Sequence, residues 1–175
     1  MLQGISIIIP TYNSASRLEP TIQHIAAQEL PTTIAWELIV VNNNSTDNTA
    51  DVAKSLFEKY QIIENQNRFE PRQGLSFARD CGIKNAKYTY SIFCDDDNWL
   101  AKDYARQVFE QMETNHSMAA LGGYGEPVCE IPPPSWFQDL SSYYAVGAQA
   151  LSAGKIDNGY LYGAGLSIRN EVYHK

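Results

Sequence analysis

Two short aliphatic runs constrain this chain more than any other feature. Ile5-Ser6-Ile7-Ile8-Ile9 and Trp36-Glu37-Leu38-Ile39-Val40-Val41 are β-branched and almost continuously apolar. Such runs read as strands buried on both faces, the pattern of a parallel sheet covered by helices. Pro10 stops the first run. Leu18, Ile22, Ile25 and Ala26 then recur at helical spacing until Pro31 ends the helix. Val52, Leu56 and Tyr60 mark a second helix, Gln61-Ile62-Ile63-Glu64 a short third strand, and Leu75, Ala78, Gly82 and Ala86 a third helix of small residues. Tyr88 to Cys94 is a fourth strand. The next helix begins near Ala101 and carries Tyr104, Val108 and Met112 on one stripe, and Met118 to Gly122 predicts a further strand. This alternation implies an α/β class with a mainly parallel central sheet flanked by helices.

In sheets of this kind ligands bind beyond the carboxyl ends of the strands. Three polar clusters occupy that position: Pro10-Thr11-Tyr12-Asn13, Asn42 to Asp47, and Asp95 to Asn98. They lie far apart in sequence, but one sheet edge brings them together. Within the second cluster, Ser45 or Asp47 is expected to cap the following helix, and Asn42, at the strand tip, is placed to reach a ligand.

The pattern changes after Gly122. Ile131-Pro132-Pro133-Pro134 excludes a regular helix or central strand. Ser135 is expected to cap a helix carrying Trp136, Leu140, Tyr143 and Tyr144, and the aromatic stretch Trp136, Phe137, Tyr143 and Tyr144 reads as a helix-packing stripe or, alternatively, as a face for a sugar or a partner. Lys155 to Gly165 is rich in glycine and tyrosine. Leu166-Ser167-Ile168 predicts a strand, with Arg169 or Asn170 opening a helix.

With 175 residues, 44% of them apolar, the chain can bury a substantial core. The net charge of -7 leaves no basic footprint for nucleic acid. An anionic ligand therefore needs a local solution: backbone amides, an arginine or a metal ion. No apolar run approaches the roughly 18 residues that span a bilayer, and the start lacks the charged region of a secretory signal. The expected location is cytoplasmic, or peripheral to a membrane. Cys81, Cys94 and Cys129 are too scattered for a disulfide framework or a zinc site, and read as small core residues. His24, His116 and His174 are isolated and take no role.

Asp95-Asp96-Asp97 is the strongest local signal. Three adjacent carboxylates at the end of an apolar strand repel one another unless a cation or hydrogen-bond donors neutralise them. In extended geometry Asp95 and Asp97 point to one side and Asp96 to the other. Two hard oxygen ligands on one side suit Mg²⁺ or Mn²⁺. A solvated acidic turn capping the next helix is the competing reading. Arg79, in an otherwise small and apolar helix, needs a partner, either a diphosphate or a nearby carboxylate. Tyr12 could lie against a nucleobase or simply pack.

Taken in order, these blocks resemble family 2 glycosyltransferases of the GT-A fold. The matching stretches are Ser6 to Asn13, Glu37 to Thr49, Gly74 to Gly82, and Phe93 to Asn98. Gly163-Ala164-Gly165-Leu166-Ser167-Ile168-Arg169 looks like the segment that lies under the acceptor. The resemblance implies a Rossmann-like nucleotide-sugar-binding half over residues 1–122. Residues 123–175 would be a partial acceptor-binding half, incomplete at the C-terminus. It further implies a nucleotide-diphospho-sugar donor, foremost a UDP-sugar, a divalent metal, and a saccharide or lipid-linked acceptor. Pro10, Thr11 and Tyr12 would cradle the base and ribose, and Arg79 would sit by the base and phosphates. Asp95 or Asp96 would lie near the ribose, with Asp97 and Asp95 near the metal. The reaction implied is inverting transfer to a hydroxyl. A non-catalytic sugar-nucleotide-binding module is the alternative.

Three departures from the family pattern stand out. Asn42 replaces the usual aspartate that accepts from the base; its amide oxygen can still accept one bond, but the charge is gone. Asp80 replaces an asparagine and is placed to pair with Arg79. The family's general base follows the Gly-rich acceptor strand by several tens of residues, so the resemblance places it beyond Lys175, and the chain is expected to bind donor and metal but to transfer sugar poorly or not at all.

Overall fold

A computed structural model describes residues 1–150, 152–157 and 159–173. His174 and Lys175 therefore lie outside the described residues, as does Asn158 of the glycine- and tyrosine-rich stretch. Strands β1 (Leu2–Thr11), β2 (Trp36–Asn42), β3 (Asn65–Phe69) and β4 (Tyr88–Phe93) alternate with helices α1 (Leu18–Ala26), α2 (Thr49–Lys59), α3 (Leu75–Asn85) and α4 (Tyr104–Thr114). Then come β5 (Ala120–Leu121), the short α5 (Phe137–Leu140), a 3₁₀ turn (Ser141–Tyr144), β6 (Ser167–Arg169) and α6 (Asn170–Tyr173). The sheet order is β3-β2-β1-β4-β6-β5. The β1–β2, β1–β4 and β2–β3 pairs are parallel, and β6 pairs antiparallel with both β4 and β5.

Alternation along β1 sorts the core into two layers. Ile5, Ile7 and Ile9, with Leu38, Val40 and Ile92, pack against Leu18, Ile22 and Ile25 of α1, Leu56 and Phe57 of α2, and Val108 and Met112 of α4. Ile8, Ile39, Val41 and Phe93 face the other way, onto Ala78 and Ile83 of α3. That second layer is tight. A Cβ placed on Gly82 would stand 2.3 Å from Ile8 Cγ2.

Several expectations need correction. β1 continues through Pro10 to Thr11, because its pairing with β4 ends at Ile8–Phe93 and the missing proline N–H breaks no ladder there. The third strand is Asn65–Phe69, not 61–64. It is an edge strand whose polar side chains meet solvent, whereas Ile62 is a buried plug in the preceding turn and Ile63 is exposed. The helix after the acidic triplet starts at Tyr104 rather than near Ala101, and the strand expected over 118–122 is reduced to Ala120–Leu121. Ser135 caps nothing: α5 is preceded by Trp136 and ends after one turn. Its aromatic residues are not a packing stripe. Trp136, Tyr143 and Tyr144 are exposed, and Tyr144 meets the rings of Trp136 and Phe137. Cys94 is buried and Cys81 half-buried, but Cys129 is exposed and so is no core residue.

Candidate functional site

The carboxyl ends of β1, β2 and β4 lie side by side, with Thr11 paired to Asn42 in the register of β1 and β2. The loops leaving them are cross-linked. The Asn43 amide donates to Thr11 O (2.8 Å). The Asn13 amide donates to Ser45 Oγ (3.0 Å), and the Thr46 amide to Asn13 Oδ1 (2.8 Å). Asn13 and Asn44 take positive φ angles of 50° and 60°, which asparagine tolerates better than most residues.

The cluster from Asn42 to Asp47 mostly shapes this edge. Asp47 Oδ1 accepts from the Thr49 amide (3.0 Å) and hydroxyl (2.5 Å), and Oδ2 from the Ala15 amide (3.2 Å). Those bonds, the Thr49 hydroxyl foremost, hold its carboxyl below the usual range. Asp47 rather than Ser45 therefore secures the start of α2. Asn43 clamps the loop between β3 and α3. Its Nδ2 donates to Glu70 O (3.1 Å) and Arg72 O (2.6 Å), while its Oδ1 accepts from Gly74 N (2.8 Å). Asn42 is 9% exposed, and its Oδ1 accepts the Ser45 amide at 2.9 Å. The amide oxygen expected to serve a ligand is thus already engaged.

The acidic triplet lies beyond the end of β4, in a turn in which the Asn98 amide donates to Asp95 O (3.0 Å), so strand alternation does not govern it; Asp96 turns inward. Asp96 is 8% exposed. It accepts from Thr11 Oγ1 (2.9 Å), from Ser14 Oγ and from Arg17 Nε (3.1 Å). The bond to Asp96 raises the Arg17 guanidinium further above its usual range. Asp95 is half-buried, and its Oδ1 accepts from Arg79 Nη2 at 2.9 Å. Asp97 is exposed. The neighbouring Cys94 is a buried thiol whose pKa is pushed up, first by burial and then by these carboxylates, so it is inert.

Arg79 projects from α3 across Phe93, its guanidinium carbon 5.2 Å from the ring centroid. Its Nε is buried without a hydrogen-bond partner. Gly163 passes directly over the guanidinium, and a Cβ there would stand 2.5 Å from Nη2. That segment is held by the Gly165 amide donating to Phe93 O (2.9 Å) and by Tyr104 Oη donating to Gly165 O (2.5 Å). Asp80 does not pair with Arg79. It projects about 100° further round α3 and accepts from Lys84 (2.7 Å) and Tyr173 (2.9 Å). An α-helix turns about 100° per residue, so adjacent positions cannot share a partner cluster.

Pro10, Thr11, Tyr12, Asn42, Arg79, Asp95, Asp96 and Asp97 therefore gather at one sheet edge. Tyr12 is exposed there, at 45%. Sequence reasoning overlooks Ser14 and Arg17, which anchor Asp96, and the Glu70–Arg72 pair (2.8 Å) beside Asn43. A basic residue just ahead of α1 is a weak hint of the first, and the Glu70-Pro71-Arg72 loop before Gly74 of the second.

The donor chemistry fits a hard divalent cation. Asp97 is open, and Asp95 Oδ2 has no hydrogen-bond partner among the described residues. No group of three or more His, Cys, Asp or Glu side chains forms a closed metal cage among those residues. A cation held here would complete its shell with substrate oxygens and water, as Mg²⁺ and Mn²⁺ commonly do. No helix among the described residues is long and apolar enough to cross a membrane.

The chain is 30% identical over 123 residues to glycosyltransferase GlyA of Streptococcus pneumoniae serotype 4, a match covering 69% of this chain and 16% of GlyA. It superposes on the mannosyltransferase PcManGT from Pyrobaculum calidifontis, solved with GDP-Man and Mn2+, with a TM-score of 0.75 and 20% identity. That match covers 99% of this chain and 46% of PcManGT. S. aureus TarS 1-349 in complex with UDP gives a TM-score of 0.64 and 22% identity over 76% of this chain and 38% of that one. The chain thus spans less than half the length of each of these proteins, and the structural likeness establishes a GT-A fold. Residues 6–157 match the family described as Glycosyl transferase family 2, and the chain belongs to that family.

Proposed function

We propose that this chain binds a nucleotide-diphospho-sugar, foremost a UDP-sugar, and is the donor-binding part of an enzyme that transfers the sugar to an acceptor hydroxyl with inversion at the anomeric carbon. The observation that carries this reading is the convergence of Thr11, Asn42, Arg79, Asp95 and Asp97 at the carboxyl edge of a parallel sheet. The UDP-bound TarS and the GDP-Man-bound PcManGT share the fold and support a nucleotide-sugar ligand. Residues 1–122 form the donor half in this reading, and residues 123–175 belong to the acceptor half. The acceptor is a saccharide or a lipid-linked saccharide, and the chain works in the cytoplasm or at a membrane surface.

Tyr12 packs on the base, with Pro10 and Thr11 shaping the cradle for base and ribose. Asp96 fixes that cradle from behind through Thr11 and Ser14. Asp95 faces the ribose and diphosphate. Asp97, with Asp95, would hold Mn²⁺ or Mg²⁺, which would supply positive charge against the departing diphosphate. Arg79 adds a second positive charge once it exchanges Asp95 for a phosphate oxygen. The acceptor hydroxyl passes its proton to a general base, and its oxygen forms the new bond to the anomeric carbon as the bond from that carbon to the diphosphate breaks. This local charge explains how a chain of net charge -7 holds an anionic donor.

Calorimetric titration of UDP with and without Mn²⁺ tests the reading. The expected result is binding strengthened about tenfold or more by Mn²⁺, an increment of about 1.4 kcal/mol, that disappears in Asp97→Asn. Failure of UDP, GDP and other nucleoside diphosphates to bind in Mn²⁺ would show the donor site to be misassigned.

A further inference from the structure

Gly163 crosses the Arg79 guanidinium in the turn that leads into β6. A Cβ at this position would stand 2.5 Å from Nη2, 2.7 Å from Nη1 and 3.0 Å from Cζ of Arg79, and these are its nearest heavy atoms among the described residues apart from its chain neighbours. The backbone itself does not call for glycine here. Gly165, two positions on, has a φ of 73° and needs glycine for its conformation, whereas Gly163 lies outside the left-handed region. What excludes a side chain at position 163 is therefore the guanidinium.

The turn is pinned. The Gly165 amide donates to Phe93 O (2.9 Å), the Phe93 amide to Leu166 O (2.8 Å), and Tyr104 Oη to Gly165 O (2.5 Å). Arg79 is the looser partner, because its head is the far end of a long side chain. That head is placed by the 2.9 Å bond from Nη2 to Asp95 Oδ1 and by the Phe93 ring, while its Nε is buried without a partner. A methyl group at position 163 would push the guanidinium by about 1 Å before ordinary contact distance is restored.

We propose that Gly163 is a positioning residue for donor binding: its bare backbone fixes the Arg79 fork at the place where a diphosphate oxygen exchanges with Asp95. This rests on the donor-site reading above, which gives Arg79 the diphosphate, and adds that the segment leading into β6 sets where that charge stands. A bond from a planar fork depends on direction as well as distance, so the displaced guanidinium stays in the site but holds the diphosphate more weakly.

The test is a double-mutant cycle, read by calorimetric titration of the full chain with UDP in Mn²⁺. Arg79→Ala should weaken UDP binding about tenfold or more, and Gly163→Ala about threefold or more. In the Arg79→Ala background Gly163→Ala should cost nothing further, because the group it displaces is gone. A Gly163→Ala chain that binds UDP like the parent overturns the proposal. So does an equal loss in both backgrounds, which a general disturbance of the fold would produce. Should Gly163→Ala alone fail to fold, the double variant decides: UDP binding equal to that of Arg79→Ala upholds the proposal, and any weaker binding or failure to fold overturns it. If Arg79→Ala leaves UDP binding unchanged, the assignment of Arg79 to the donor site fails and this inference with it, whereas a loss in Arg79→Ala without one in Gly163→Ala overturns this inference alone.

Discussion

Thr11 Oγ1 donates to Asp96 Oδ2 across 2.9 Å, and that bond ties the carboxyl end of β1 to the acidic loop after β4. Ser14 and Arg17 converge on the same carboxylate, so Asp96 is neutralised by protein groups. The repulsion expected among three adjacent aspartates is relieved separately at each position. Asp96 turns inward to donors, Asp95 pairs with Arg79, and Asp97 extends into solvent. The division leaves the two outward carboxylates free to exchange partners while the middle one fixes the loop.

The stability cost of removing each aspartate should differ accordingly. Asp96→Ala leaves the Thr11 hydroxyl without its acceptor, while the Ser14 hydroxyl keeps Tyr12 O at 3.1 Å, and should lower the unfolding free energy by about 1–3 kcal/mol. The Arg17 side chain is 52% exposed, so loss of that ion pair adds little after solvent screening. Asp97→Asn should stay within about 0.5 kcal/mol of the parent. Urea unfolding followed by circular dichroism measures both, and equal losses would contradict the division.

How far the sequence reveals this arrangement depends on where each partner lies. β1 and β2 are legible because burial on both faces demands unbroken apolar runs such as Ile7-Ile8-Ile9 and Leu38-Ile39-Val40, and β4 because its aromatic and aliphatic residues alternate with Thr89 and Ser91. β3 is not, because Asn65-Gln66-Asn67-Arg68 occupies an edge and has no apolar face to show. The meeting of three polar clusters follows from parallel strands alone. The partners inside the meeting do not: Arg17 and Asp96 are 79 positions apart, and nothing local marks one as the other's counter-ion. Asn42 shows both effects. Its place at a strand tip is legible, while the direction of its amide depends on the backbone turn that brings Ser45 N–H to Oδ1.

Gly82 offers a test of the layer beneath the site. Alanine in a helix interior is favoured over glycine by about 0.8–1.0 kcal/mol, which alone would make Gly82→Ala stabilising. The added Cβ would meet Ile8 Cγ2 at 2.3 Å, and that β-branched methyl sits in a fully buried strand with no free rotamer to escape into. Overpacking of this kind costs about 1–3 kcal/mol, so the clash should win. The expected outcome is a net loss of up to about 2 kcal/mol in chemical denaturation. A variant as stable as the parent would show that α3 can move off β1 without cost.

Asp47 gives the acid limb of stability a specific contributor. Its carboxyl is held below the unfolded value of about 3.9 by the Thr49 hydroxyl, with the Ala15 and Thr49 amides contributing in the same direction. A depressed carboxylate binds fewer protons folded than unfolded. Its contribution is therefore complete above about pH 5 and fades as the pH falls below 3.9 and through the folded value. In Asp47→Ala that contribution is absent at every pH. The melting-temperature gap between parent and variant should be widest from pH 5 to 7 and should narrow steadily toward pH 3. A gap that stays constant over that range would mean that the charge of Asp47 contributes nothing to securing α2, leaving only the neutral hydrogen bonds.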